Sequence, residues 1–560
     1  MMKEQTNFSA LDRQFGDFLQ RLEGSDAAEV RLAAMCASRA RGDGHICVTV
    51  AEIAAREDAP TEATLRKKLR ASKVVGAPGD FTPLVLDAHD RLYLRRYWEY
   101  EQQLAQAILS RAAASSPASR EDETDLQKVA AARAVAQKFT VITGGPGTGK
   151  TQTVTTILRL LLAQPDGDKL RIALAAPTGK AAARLTESVR AVQQTFEATT
   201  IHRLLGYLPG SASFRHDADH PLNADVVIVD EASMVDLALM AKLVAAVPPA
   251  ARLILLGDRD QLASVEAGSV LADICAAAAE ASPNEPLGRA VVALQHSFRF
   301  AKSGGIYRVS SAVNAGDAEA AIGALQQTVD EEARWEPLPS SARLPAALRE
   351  RVLGAFRPCL EANDPLQALA RLKEFRILCA VRHGPFGVEH LNAIAEELLA
   401  QAGLIAPKRG WYGGQPLTIT ANDYNLGLFN GDSGIILPDP ESDEELRAFF
   451  LSAEGKLRRY LPSRLPQHET AFAMTVHKSQ GSELDRLLLI LPEKESPLLT
   501  RELLYTAITR ARQQVEIWAS EEVLRSAIGR QVSRNSGLRD ALLTSAPAGE
   551  TGSRQSGSNR

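Results

Sequence analysis

A chain of 560 residues is too long to fold around one hydrophobic core, and three or four domains are expected. With 45% hydrophobic and 24% charged residues it has the composition of a soluble globular protein. It shows neither a bilayer-length apolar run nor a signal-peptide pattern, which points to the cytoplasm and to no membrane partner. A net charge of −4 does not suggest a chain coated in nucleic acid, so any DNA contact has to come from a local groove.

From the N-terminus, residues 1–111 mix helical segments with a short β-like stretch, His45 to Val50. They close on the aromatic and basic run Leu92-Tyr93-Leu94-Arg95-Arg96-Tyr97-Trp98-Glu99-Tyr100. That run can grip nucleic acid by stacking and charge, or pack its rings into a domain core, and the second reading is favoured. Residues 112–124 are small, polar and acidic and read as an exposed linker. From 125 to 295 strand-like and helical runs alternate, the signature of a parallel α/β sheet. Strands are expected at Phe139–Thr143, Ile172–Ala176, Val226–Asp230 and Leu253–Leu256. A second α/β set covers 296–407 and 471–544, with strands near Phe375–Val381, Leu487–Leu491 and Val515–Ala519. Between its halves, residues 408–470 are rich in Gly, Pro, Asp, Asn and aromatics and read as an inserted β-module. The Ser/Gly/Arg-rich tail, 545–560, is expected to be disordered. Cys36, Cys47, Cys275, Cys359 and Cys379 form no C-x-x-C pair and read as reduced thiols rather than a metal site or disulfide framework.

The chemistry concentrates at strand ends. Gly144-Gly145-Pro146-Gly147-Thr148-Gly149-Lys150-Thr151 is a complete phosphate-binding loop between a β-rich run and a helix with apolar Val154, Ile157, Leu158 and Leu161. Such a turn aims backbone N–H groups and a helix dipole at a polyphosphate. Lys150 would reach the β- and γ-phosphates of ATP, and the Thr151 hydroxyl would go to Mg²⁺. Asp230-Glu231 ends the apolar run Val226–Val229, where a nucleotide site needs a Mg²⁺ ligand, Asp230, and a group to polarise the attacking water, Glu231. Gln261, after the strand Leu253–Leu256, is placed to sense the γ-phosphate; the alternative is that Asp258, Asp260 and Gln261 merely cap a turn. Ala176-Pro177-Thr178-Gly179-Lys180 also follows a strand. There Thr178 and basic side chains could meet a DNA backbone, or Lys180 and Arg184 could lie on a solvated face.

These segments, with Ser297-Phe298-Arg299-Phe300, Leu428-Phe429-Asn430-Gly431-Asp432, Thr475-Val476-His477-Lys478-Ser479-Gln480-Gly481-Ser482-Glu483 and Tyr505-Thr506-Ala507-Ile508-Thr509-Arg510, fall in the order of superfamily 1 helicase motifs. Over about residues 125–540 the chain resembles the RecD family, the α subunit of exodeoxyribonuclease V (the RecBCD complex). The resemblance implies two RecA-like domains, 125–295 and 296–407 plus 471–544. It also implies an SH3-like module at 408–470, a strand-separating pin at 206–224, and a mainly helical N-terminal domain that docks onto partner subunits. It places Arg299 and Arg510 in the ATP cleft from the second RecA-like domain, Arg510 as an arginine finger. Gln127 matches the adenine-reading glutamine, and Glu483 a ribose contact. Pro177, Thr178, His202, Thr475 and His477 fall where family members hold single-stranded DNA, although the two histidines could instead be supporting residues.

The implied activity is 5′→3′ translocation on single-stranded and duplex-end DNA by ATP hydrolysis, in a heterotrimer with RecB-like and RecC-like subunits. Two alternatives stand beside it. One is a free-standing RecD-like helicase, disfavoured because only about 120 residues precede the helicase core. The other is an ATP-switched scaffold, which would not need Glu231, Gln261 and Arg510. No Asp/Glu/Lys cluster of nuclease type stands outside these motifs, so no nuclease site is expected in this chain.

Overall fold

The computed structural model describes residues 8–544 except 25–26, 58, 115–124, 194, 209, 302, 328–331, 363, 408–409, 424 and 453–454. The expected disordered tail and residues 115–124 of the expected linker therefore lie outside the described residues. Residues 112–113 of that linker are instead the last turn of the helix Arg95–Ala113, because Arg111 and Ala112 are buried against the next domain.

The N-terminal region is mainly helical, as expected, with four short strands where one was read from the sequence. Two helices, Ala10–Glu23 and Ala28–Gly42, pack against a four-stranded sheet ordered Cys47–Thr49, Arg91–Leu94, Leu84–Leu86, Val75–Gly76. The expected β-stretch stops at Thr49 because Thr49 and Glu52 form a capping box that starts a helix at Val50. The aromatic-basic run splits at Leu94: Tyr93 is 1% exposed in the sheet, and Tyr97, Trp98 and Tyr100 lie half-buried against the neighbouring domain's core. Its rings are packing groups.

The first lobe is a six-stranded, all-parallel sheet ordered Val291–Leu294, Phe139–Gly144, Arg252–Gly257, Val226–Val229, Ile172–Ala176, Ala198–Thr200. Helices cover both faces, which is why its central strands read as unbroken apolar runs; Val226 through Val229 are all fully buried. The two edge strands, Ala198–Thr200 and Val291–Leu294, are too short to announce themselves in sequence. The second lobe is a five-stranded parallel sheet ordered Ala333–Glu336, Ala511–Trp518, Leu484–Ile490, Phe375–Cys379, Ala473–Thr475. Between Phe375–Cys379 and Ala473–Thr475 the chain builds a separate antiparallel sheet of five strands, ordered Leu457–Tyr460, Glu445–Leu451, Ser433–Asp439, Pro416–Ile419, His468–Thr470.

The last segment corrects the expectation that residues through 544 belong to the second lobe. Beyond residue 533 the chain crosses back. Arg534 donates to the carbonyls of Ser264 (2.6 Å), Glu266 and Gly268 (2.8 Å each), and the Ile46 N–H donates to the Asn535 carbonyl at 2.8 Å. Leu538, Ala541 and Leu542 then bury themselves in the first lobe's core. No residue pattern separates this helix from one of the second lobe; only the partner surface does.

Candidate nucleotide and strand-binding sites

The phosphate loop is built by backbone geometry. Gly147 (φ 77°) and Gly149 (φ 82°) take left-handed conformations that side chains disfavour, and Gly149 is the N-cap of the helix Lys150–Leu162. The Thr148 hydroxyl donates to the Gly145 carbonyl at 2.8 Å, and the Gln127 amide donates to the Thr148 carbonyl at 2.9 Å, pinning the loop from behind. The Lys150 ammonium donates to the carbonyls of Gly144 (2.5 Å) and Gly145 (3.0 Å), folded along its own loop.

A cavity of about 440 Å³ opens in front of this loop. The first lobe contributes Pro146, Gly147, Gly149, Lys150, Thr151, Asp230, Glu231 and Gln261 to its wall, and the second lobe contributes Glu483 and Arg510. Asp230 follows the strand Val226–Val229, and its Oδ1 accepts the Glu231 N–H at 2.9 Å. Burial, with Glu231 beside it, pushes its carboxyl up to about 6. Glu231 itself sits at φ 53°, a left-handed conformation rare outside glycine. The Asp230 carboxylate, with the Thr151 hydroxyl in the same wall, is a donor set suited to a divalent cation.

Gln261 is both a turn-capping and a cavity residue: its amide donates to Asp258 Oδ2 at 2.9 Å. Asp258 also accepts from the Tyr505 hydroxyl at 3.2 Å, and burial raises its carboxyl. The neighbouring Leu262 N–H donates to Thr506 Oγ1 at 2.9 Å, and its carbonyl accepts from Gln480 Nε2 at 3.0 Å. The strand-end turn that carries Gln261 is thereby tied to two segments of the second lobe.

Arg299 differs from its expected address. Val291–Leu294 still belongs to the first sheet, and the Phe298 N–H donates to the Gly147 carbonyl at 2.8 Å, so Arg299 rides on the crossover beside the phosphate loop. Its guanidinium reaches across to ion-pair with Glu483. Burial and the neighbouring guanidiniums hold it down to about 10. Arg510 is 4% exposed and donates to the carbonyls of Thr506 (3.2 Å) and Ser482 (3.4 Å); burial lowers its pKa. Gly144, Gly145, Thr148 and Gln127 support the loop from outside the cavity lining. Arg184, Phe298 and Arg512, not singled out for this site from sequence, do line it. Their only sequence signal is adjacency to motifs already marked.

The strand-binding candidates lie elsewhere, at the C-terminal edges of the same sheets. Pro177 and Thr178 follow Ile172–Ala176, and Thr178 Oγ1 caps the helix Gly179–Val189. His202 lies in the helix after Ala198–Thr200, its ring 5.6 Å from that of Phe214 in the 206–224 loop. Thr475 ends its strand and accepts the Lys478 N–H at 3.3 Å, with His477 in the next turn. Burial lowers the pKa of both histidines. None of the five lines the nucleotide cavity. The 206–224 loop folds back on itself through a Tyr207–Phe214 bridge.

Two parallel α/β sheets facing each other across a phosphate-loop cavity define the RecA-like helicase class. Family models match in three stretches: an AAA domain at 127–267, the N-terminal domain of RecBCD enzyme subunit RecD at 4–93, and a UvrD-like helicase C-terminal domain at 470–517. The chain is similar to RecBCD enzyme subunit RecD of Mycobacterium tuberculosis, 43% identical over 93% of this chain and 92% of the relative. It is also similar to the ATP-dependent RecD2 DNA helicase of Deinococcus radiodurans, 34% identical over 72% of this chain but 50% of that protein. Among solved structures, Bacteroides Pif1 bound to ssDNA matches 71% of this chain and 93% of its own, at 16% identity and a TM-score of 0.41. The chain belongs to the RecD family of RecBCD enzyme subunits, which are ATP-dependent helicases.

Proposed function

We propose that this chain is the 5′→3′ helicase subunit of a RecBCD-type helicase–nuclease that processes double-strand DNA ends for recombinational repair in the cytoplasm, held in a heterotrimer with RecB-like and RecC-like subunits. One observation carries the motor part of this reading: Lys150 and Arg510, rooted in separate sheets, line one cavity. In it Lys150 and the loop N–H groups bind the phosphates of ATP, and Glu231 orients the attacking water. Gln261 reads the γ-phosphate, and Arg299 and Arg510 offset charge developing on the transferred phosphoryl. Gln127 would read the adenine base, and Glu483 would contact the ribose. Asp230 and Thr151 would hold Mg²⁺, which when bound would neutralise phosphate charge. ATP shared by both walls favours closure and hydrolysis favours opening. Pro177 and Thr178 with His202 on one lobe, and Thr475 with His477 on the other, would grip a strand alternately. The match of residues 4–93 to the RecD N-terminal domain favours the complex-forming subunit over a free-standing helicase.

The test is Lys150→Ala in the full chain. ATP hydrolysis stimulated by single-stranded DNA, and unwinding by this subunit, should fall to background while the circular dichroism spectrum and melting stay unchanged. Near-normal DNA-stimulated turnover would refute the site.

A further inference from the structure

The nucleotide cavity carries an excess of positive charge. Five cationic side chains, Lys150, Arg184, Arg299, Arg510 and Arg512, line it against three carboxylates, Asp230, Glu231 and Glu483. Much of that excess converges on Glu483. Arg184 and Arg299 both ion-pair with its Oε1, and the Arg512 guanidinium stands 4.0 Å from its Oε2. One carboxylate oxygen shared by two guanidiniums cannot give both a bidentate partner, whereas the oxygens of a polyphosphate can serve both.

Arg184 does not belong to a phosphate-loop element. It sits on the helix Gly179–Val189, whose N-terminus is capped by Thr178 Oγ1 accepting the Ala181 N–H at 3.2 Å. Thr178 is a strand-contact residue in the reading above, and Arg184 follows it by less than two helical turns. The same helix sets Lys180 against the Ser482 hydroxyl, next in sequence to Glu483. One rigid rod therefore reaches from the strand-binding edge into the nucleotide cavity.

We propose that Arg184 is a nucleotide-binding residue supplied by the strand-gripping helix. Its guanidinium, paired with Glu483 here, exchanges that carboxylate for terminal phosphate oxygens of a nucleoside triphosphate, and Glu483 is freed toward the ribose. The proposal rests on the nucleotide-site reading above. A strand that shifts the Thr178 end of the helix shifts Arg184 against the phosphates, so strand and triphosphate affinities are linked in both directions.

The test is equilibrium binding of fluorescent ATPγS and ADP analogues to the full chain, with Mg²⁺, with and without oligothymidylate. Arg184→Ala should weaken ATPγS binding about tenfold or more and ADP binding less than about threefold, because a charge-assisted contact to the terminal phosphate is lost. The change in ATPγS affinity caused by oligothymidylate should vanish with it. Arg184→Lys should restore part of the affinity, which separates contact from folding. ATPγS affinity unchanged in both Arg184 variants, with binding lost in Lys150→Ala, overturns the role of Arg184 and leaves the nucleotide site standing. Unchanged affinity in Lys150→Ala as well overturns the nucleotide site and this inference together.

Discussion

Among single side chains, Arg510 carries the sharpest consequence. A guanidinium 4% exposed, hydrogen-bonded to the carbonyls of Thr506 and Ser482 and lining a cavity that also holds Glu231, is a costly buried charge placed where negative charge can face it. Arg510→Ala should lower kcat by about 10³-fold or more, the range of an arginine finger, with ATPγS affinity much less affected. A few-fold loss in steady-state turnover would make it a structural residue. Glu231 adds a second case. Its left-handed backbone marks a constrained position, and Glu231→Gln removes the carboxylate proposed to orient water, so turnover should be abolished while ATPγS binding stays intact. Weakened nucleotide binding in that variant would assign Glu231 to binding instead.

Between elements, the contact of the helix Gly179–Val189 with a loop of the insert is tight. The Phe429 side chain of the insert lies over Gly179, and a Cβ there would collide with it. Gly→Ala near a helix start ordinarily stabilises by up to about 1 kcal/mol, but overpacking costs about 1–3 kcal/mol, so the collision decides the sign. Gly179→Ala should lower the apparent melting temperature, and in a Phe429→Gly background, which also removes the Phe429 Cβ that stands nearest, the same change should be neutral or stabilising. Equal destabilisation in both backgrounds would mean that the insert does not rest on this helix in solution. The contact joins the insert to the helix that carries Thr178 and Arg184.

For the protein as a unit, the returning C-terminal segment ties three bodies together. Glu101, 1% exposed, accepts the Gly537 N–H (2.8 Å) and the Ser536 hydroxyl (3.2 Å) at Oε2, while its Oε1 has no hydrogen-bond partner. Burial pushes its carboxyl up to about 7, from 4.5. The folded state therefore holds this proton more tightly than the unfolded chain. Stability contributed here is full below about pH 4.5 and is lost as pH rises to about 7. Glu101→Gln should raise the melting temperature at pH 8, by an amount equivalent to about 1–3 kcal/mol, and flatten its fall between pH 5 and 7. A melting temperature at pH 8 no higher than the parent's would show that Glu101 is not the titrating group.

The chain order of amino acids was enough for the phosphate loop, the Asp230-Glu231 strand end and the alternation of both parallel sheets, because each depends on local backbone geometry and short-range periodicity. It was enough for the family as well, because the motifs are contiguous strings. It could not locate Arg299 beside the phosphate loop, bring Arg184 into the cavity wall beside Lys150, or return the helix Leu538–Thr544 to the first lobe. Those placements depend on which surface a segment meets after the lobes have formed. A basic side chain on a helix, or an apolar stripe, reads the same in sequence whichever partner buries it.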